Sequence, residues 1–392
     1  MVQQQAKTPL TPAQAVVPIW SGVKQLAAVL PVDERWVLHA GPPFRSVQEL
    51  PQAVRNSVLI GILYEGWAAD KAAAEVLLDG GGVVLASAQD HDVVVPLAGV
   101  ATPSMYAIEV SDAKRPVNRK YSVLNEGMQW CTRLGIYAEE MLPHLRWLHQ
   151  DLGARLGAQF AGPVDLAPIL QAALLNGDDG HARTMHASRL LADTIVSWGI
   201  DDEASKSFLY GAMAWALNYW MAASALILAA QTDDHAIVKV GGNGLRFGLQ
   251  LAGQAGVWQV VAAPAIAGNK DAGNEAACAL GTIGDSAVVD FVGLGGQCLD
   301  LAGHSAKALQ AFLPADYLGR SGQFMTQKLP FLAGRLGIAD YQAVLNHGAG
   351  PLVLLGMIDA AGERGRVGGG VATVDAALLQ QLEAWQDETT VV

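Results

Sequence analysis

Apolar residues alternate or run in short blocks through the first third of the chain, and glycines and prolines punctuate them. Residues up to about Leu30 read as a leading helix. Arg35-Trp36-Val37-Leu38-His39 reads as a strand that must stop at Ala40-Gly41-Pro42-Pro43, because proline cannot continue a backbone ladder. Helical spacing follows over Val54–Trp67 and Asp70–Leu78, ended by Gly80-Gly81-Gly82. The apolar run Val83–Ala86 predicts a buried strand. Further strands are expected at Val93–Val95, Tyr106–Val110 and Tyr121–Leu124. From Asn125 to about Thr232 the pattern is almost wholly helical.

Beyond Asp233 the texture changes. Ala236–Val240, Leu245–Leu251 and Val257–Ala262 are strand-like, and the Asn243-Gly244 step between the first two is a hairpin signal. Ile283–Val288 predicts a strand and turn, Pro351–Leu355 and Val371–Val374 two more strands, and Ala376–Trp385 a closing helix. The pattern therefore predicts a mixed α/β fold in three parts: an α/β region over 1–125, a helical region over 126–233 and a glycine-rich α/β region over 234–392. Ser207–Thr232 carries no charge and is long enough to span a bilayer. Its alanine content, its central Asn218 and its mid-span tryptophans instead point to a buried core helix.

Composition narrows the reading. Half of the 392 residues are apolar and 16% charged, enough to bury large cores. A net charge of −12 argues against nucleic acid or an anionic membrane as partner, while leaving small anionic substrates open. Cys131, Cys278 and Cys298 are odd in number and far apart, as expected of reduced thiols in the cytoplasm, and no secretory signal is visible. No dinucleotide fingerprint, Walker A loop, zinc motif or serine-hydrolase elbow is present, so neither cofactor nor metal is expected.

The densest chemistry lies in Asn176–Arg189, with two carboxylates, two imidazoles and two guanidinium groups. Asn176-Gly177 is expected to close one helix, and Asp178 or Asp179 to cap the next. On that helix Asp179 and Arg183 would lie one turn apart, as would Asp178 and His181. Such a helix start suits an anionic ligand, although a capped helix with a surface ion pair has the same sequence. Elsewhere, Asp285-Ser286 offers a nucleophile, a ligand hydroxyl or merely a turn. His39 beside Gly41 offers a donor to an anion, and Glu65 and Glu126, each before a glycine, offer bases or local backbone acceptors. His39, Glu65, Asn125, Glu126 and Asn243 each follow an apolar run, and are expected to share one cleft.

Several segments together carry a family resemblance: Leu38–Pro43, Tyr64–Ala68, Leu124–Gly127, Gly177–Arg183, Gly242–Gly248, Gly284–Ala287 and Gly293–Gly296. In that order they resemble the YlbE/YahG-like family of bacterial proteins, from about residue 35 to 387. The family includes a subunit of oxamate carbamoyltransferase, which works with a subunit resembling the succinyl-CoA synthetase α chain and a third small protein. The resemblance implies a carbamoyltransferase-type reaction between a phosphate donor and an amide or amine carboxylate, by a homo-oligomer that works with such partner subunits. On the matching positions His181 and Arg183 would hold phosphate and polarise the carbonyl, and Glu65, Glu126 or Asp285 would orient or deprotonate the amine. His39, Gly41, His91, Asn125, Asp178, Asn243, Gly244 and Ser286 would line the substrate pocket. Departures at Gln89-Asp90-His91, Val95, Asp179 and Thr184 imply a changed substrate. A scaffold subunit, or a hydrolase or lyase of a small amide, are the competing readings.

Overall fold

A computed structural model describes residues 9–385 except 31–33, 331 and 333. It opens not with a helix but with strand β1 (Pro18–Gln25). Val16, Pro18 and Trp20 are buried at every second position, the period of a strand. Strand β2 (Trp36–His39) is followed by helices α1 (Gln52–Tyr64) and α2 (Lys71–Asp79), the latter capped by Asp70 through the Ala73 N–H. Then come β3 (Val84–Ser87), β4 (Val93–Val94), β5 (Val100–Ala101), β6 (Tyr106–Asp112) and β7 (Arg115–Val123). β1 pairs antiparallel with β6 and sits in a sheet of order β4–β7–β6–β1–β8, where β8 is Val164–Asp165. β2 runs parallel to β3 and antiparallel to β5 in a smaller sheet.

The helical middle comprises α3 (Met141–Arg146), a π-helical turn (Trp147–Gly153), α4 (Ala154–Ala158), α5 (Leu166–Leu175), α6 (Met185–Ser197), α7 (Glu203–Gly211) and α8 (Trp215–Ala229). The uncharged stretch is thus two helices, bent by 64°. The bend has a local cause. Thr184 and Ser188 on the α6 side donate their hydroxyls to the Met213 carbonyl, and the Leu217 N–H bonds Ala214 instead. Every residue of α8 from Trp215 to Leu228 is buried, as a helix apolar on all sides requires. Its one amide, Asn218, donates to Ser122 Oγ at 2.9 Å and to the Val123 carbonyl, so the helix is pinned to β7. No single helix among the described residues is long and apolar enough to cross a membrane.

The last third holds β9 (Ile237–Asn243), β10 (Arg246–Leu251), β11 (Gln259–Ala262), β12 (Ala267–Lys270), β13 (Ile283–Gly284), α9 (Ala287–Asp290), α10 (Gly303–Leu309), β14 (Met325–Lys328) and β15 (Gly337–Ala339). It ends with α11 (Tyr341–His347), β16 (Leu352–Ile358), β17 (Arg366–Thr373), α12 (Ala376–Leu379) and β18 (Glu383–Ala384). β9 and β10 form the expected hairpin, with Gly244 at φ 90° in the turn. The closing helix is shorter than its apolar pattern suggests: α12 stops at Leu379, and β18 then pairs with the edge of β11. One buried apolar cluster runs from Ala13 to Leu379 and draws on all three segments. At its centre Trp20 meets Trp198 and Tyr219 with ring centroids 4.8 and 5.0 Å apart.

Candidate active-site cleft

Between the start of α8, the 177–184 loop, α10 and strands β16 and β17 lies a cleft with about 450 Å³ of space open to water. His181, Arg183 and Ser286 line it, and so do Arg133, His304 and Arg366. Three guanidinium groups and two imidazoles, against the single carboxylate of Asp271, make this a basic recess in a chain of net charge −12.

The 177–184 segment differs from the expected helix start. Gly177 and Gly180 take φ of 85° and 81°, and the Asp179 and Gly180 N–H groups both bond the Arg183 carbonyl, closing a loop before α6 begins at Met185. Asp178 does cap that helix, though from a distance, by accepting the Ala187 N–H at 3.0 Å. Asp179 is fully buried and binds inside the loop: Oδ1 accepts from the His181 and Arg183 N–H groups, and Oδ2 from the Ser305 hydroxyl at 2.6 Å. The expected one-turn pairs therefore do not form. Arg183 instead approaches Asp178, with Nε 3.9 Å from Oδ1.

His181 turns to a partner that is remote in sequence. Its Nδ1 lies 2.6 Å from Asp290 Oδ2, at the end of α9. Asp290 is fully buried, and its Oδ1 accepts from the Gly296 N–H at 3.0 Å and, more weakly, from the Leu354 N–H at 3.4 Å. Burial pushes its carboxyl above the usual range, while His181 and these N–H groups pull the other way. A carboxylate on Nδ1 fixes the tautomer with the proton there, leaving Nε2 as an acceptor. Among the described residues no protein group bonds Nε2. Gly295 is required here, since a Cβ on it would stand 2.1 Å from Asp290 Oδ1. The Gly293–Gly296 run thus turns the Gly296 N–H onto a carboxylate of the protein itself.

Other expected site residues lie elsewhere. Asp285 is fully buried and accepts from the Gly41 N–H (2.9 Å), the Val95 N–H (2.9 Å) and Gln89 Nε2 (2.6 Å). Burial pushes its carboxyl up to about 7. It braces the turn Pro96-Leu97, which lines the cleft and holds Leu97 at φ 50°. Asn243 closes its own hairpin by accepting the Leu245 and Arg246 N–H groups and donating to the Pro42 carbonyl. His39 is buried against Phe44, and burial lowers its pKa to about 4. Glu65 takes the backbone N–H and hydroxyl of Ser104, and His91 packs edge-on against Trp36.

Asn125 and Glu126 come closer. They border a small cavity of about 10 Å³, room for one water, which shares Pro96 and Arg133 with the cleft. Glu126 accepts from the Thr132 N–H and Oγ1, and burial raises its carboxyl to about 7. The expectation that His39, Glu65, Asn125, Glu126 and Asn243 line one cleft is therefore corrected: none of the five lines it. Their turns follow apolar runs but end different elements: His39 ends β2, Glu65 ends α1, Asn125 and Glu126 follow β7, and Asn243 ends β9. Sequence reasoning passed over Arg133, His304, Arg366 and Asp290. Only Asp290 carried a signal, as a lone carboxylate within Ala287-Val288-Val289-Asp290-Phe291-Val292.

Fold and cleft together define a mixed α/β protein with an arginine-lined recess and a buried His–Asp pair at its edge. The chain belongs to the family described as "Oxamate carbamoyltransferase subunit AllG", which matches residues 83–286, just over half of its length. It is similar to oxamate carbamoyltransferase subunit AllG of Escherichia coli (strain K12), at 28% identity over 94% of this chain and 93% of that protein. The uncharacterized protein YahG of the same organism is also 28% identical, over 73% of this chain and 63% of YahG. A crystal structure of a conserved protein of unknown function from Enterococcus faecalis V583 shares the fold, with a TM-score of 0.86 at 23% identity over 94% of this chain and 93% of that one.

Proposed function

We propose that this chain is a subunit of a carbamoyltransferase and that the basic cleft is where the transfer occurs. Similarity to AllG along nearly the whole of both chains supports the subunit reading. The observation that carries the catalytic reading is His181, held by buried Asp290 with Nε2 free beside a cleft lined by three arginines. In the reaction a nitrogen lone pair of the acceptor attacks the carbamoyl carbon. The carbon–oxygen bond to phosphate breaks, phosphate leaves with the electron pair, and the nitrogen's proton passes to His181 Nε2. Arg183 and Arg366 take the phosphate charge, and enclosure in the cleft brings donor and acceptor together.

The test is phosphate release from carbamoyl phosphate with a panel of small amide and amine carboxylates, oxamate among them, as acceptors, using the chain purified with the subunits it retains. His181→Asn is expected to lower kcat by about 10²–10⁴-fold, the usual contribution of a general base. Arg183→Lys is expected to raise KM for the phosphate donor, since an ammonium cannot reproduce a two-pronged guanidinium contact. Unchanged turnover in both variants, at unchanged melting temperature, would leave the chain as a scaffold whose cleft does no chemistry.

A further inference from the structure

Arg133 is the least exposed cation of the cleft and the worst satisfied. Its residue is 9% exposed, whereas the side chains of Arg183 and Arg366 are 32% and 46% exposed. Those two each have a carboxylate within ion-pair distance, Asp178 and Asp271. Among the described residues Arg133 has none. Its Nη2 is anchored on the Gly127 carbonyl at 2.6 Å and contacts Met128 Sδ at 3.3 Å. Its Nε–H is buried with no partner, and Nη1 bonds nothing among the described residues. The adjacent carboxylate, Glu126, spends both oxygens on Thr132.

An unmet buried N–H costs about 1–3 kcal/mol, more on a charged group, so the fold carries this penalty at a position that opens on a cleft. With Nη2 spent and Nε enclosed, the Nη1 N–H groups are left to meet a carboxylate oxygen entering from the cleft. The space beside them is narrow. Pro96 and Leu97 line the cleft alongside Arg133, and the cavity behind admits a single water.

We propose that Arg133 is the specificity-determining residue of the cleft, binding the carboxylate of a small 2-amido acid while Arg183 and Arg366 hold the phosphate-bearing donor. The assignment rests on reading the cleft as the transfer site, and it divides the arginines by burial. The enclosed guanidinium selects a compact planar anion, and the more exposed pair accepts the larger, more hydrated one. A neutral amide of the same size lacks the charge that Arg133 needs and is rejected.

The test is direct binding to the full chain by calorimetry, with oxamate, acetamide and inorganic phosphate as probes and melting temperature read alongside. Arg133→Gln is expected to weaken oxamate at least 30-fold and phosphate less than threefold, and Arg183→Gln to do the reverse. Acetamide is expected to bind to none of the proteins. Arg133→Lys, which keeps the charge and most of the volume, is expected to fold normally and lose about tenfold in oxamate affinity. Three results overturn the proposal: no oxamate binding by the unmodified chain, oxamate affinity in Arg133→Lys equal to it, or equal loss of both anions in Arg133→Gln. Because the readout is binding, a cleft that takes oxamate through Arg133 yet transfers nothing refutes the catalytic reading and leaves this one standing.

Discussion

Replacing Asp290 by asparagine changes two atoms' chemistry and almost no volume, so its effect isolates the charge that holds His181. One carboxylate oxygen takes His181 Nδ1 at 2.6 Å and the other takes the Gly296 N–H at 3.0 Å. Asparagine cannot serve both. If its oxygen stays on Gly296, its NH₂ faces His181 and drives the ring proton to Nε2, removing the base from the cleft. If it flips, its NH₂ opposes the Gly296 and Leu354 N–H groups. A hydrogen bond involving a charged partner contributes about 1.5–3 kcal/mol, which converts to roughly 10–150-fold. Loss of the base itself contributes about 10²–10⁴-fold. The expected result is therefore a kcat fall of about 10²-fold or more in phosphate release, with KM for the donor within threefold.

A double variant sharpens that experiment. If Asp290 acts only through His181, Asp290→Asn combined with His181→Asn should be no slower than the worse single variant. Multiplying losses would refute the relay, as would a kcat for Asp290→Asn within twofold of the parent.

Other outcomes follow from the same geometry. Gly295→Ala should lower both melting temperature and kcat, because its Cβ would lie 2.1 Å from Asp290 Oδ1 at a φ of 56°. Gly177→Ala, whose Cβ would meet nothing within 4 Å despite a φ of 85°, should cost only about 1–2 kcal/mol and no turnover. Leu228→Ala, emptying a fully buried position in α8, should cost about 2–5 kcal/mol in denaturant unfolding. Burial depresses the pKa of His39 to about 4 and of His149 to about 3, from 6.5. Both stay neutral when folded but take a proton when unfolded, so stability is fully present above pH 6.5. It is lost as pH falls from there through about 4 and 3, by roughly 1.4 kcal/mol per pH unit for each histidine. His39→Gln should flatten that acid slope in melting temperature between pH 6.5 and 5, and an unchanged slope would count against it.

Local periodicity alone determined much of this fold. Trp36–His39, Val84–Ser87 and the β9–β10 hairpin lie where short apolar runs meet glycine, proline or Asn-Gly. An uncharged stretch with no polar face has to be buried somewhere, and α8 is. His181, Arg183 and Ser286 also stood out as chemistry-bearing residues, and all three line the cleft. What periodicity leaves open is which distant backbone arrives beside a given residue. Pro18–Gln25 became a strand because β6 offered its edge, and Leu382–Trp385 left the helical path because β11 offered another. Asp290 meets His181 across 109 positions, a pairing that chain topology alone sets. Asp285, Asn243 and Glu126 had the residue types of site groups, yet neighbouring N–H and hydroxyl donors occupy them. Arg133 is the converse, an ordinary arginine in sequence that packing buries with no carboxylate within ion-pair distance among the described residues. A side chain's type is written in the sequence; whether its hydrogen bonds are already spent is decided by packing.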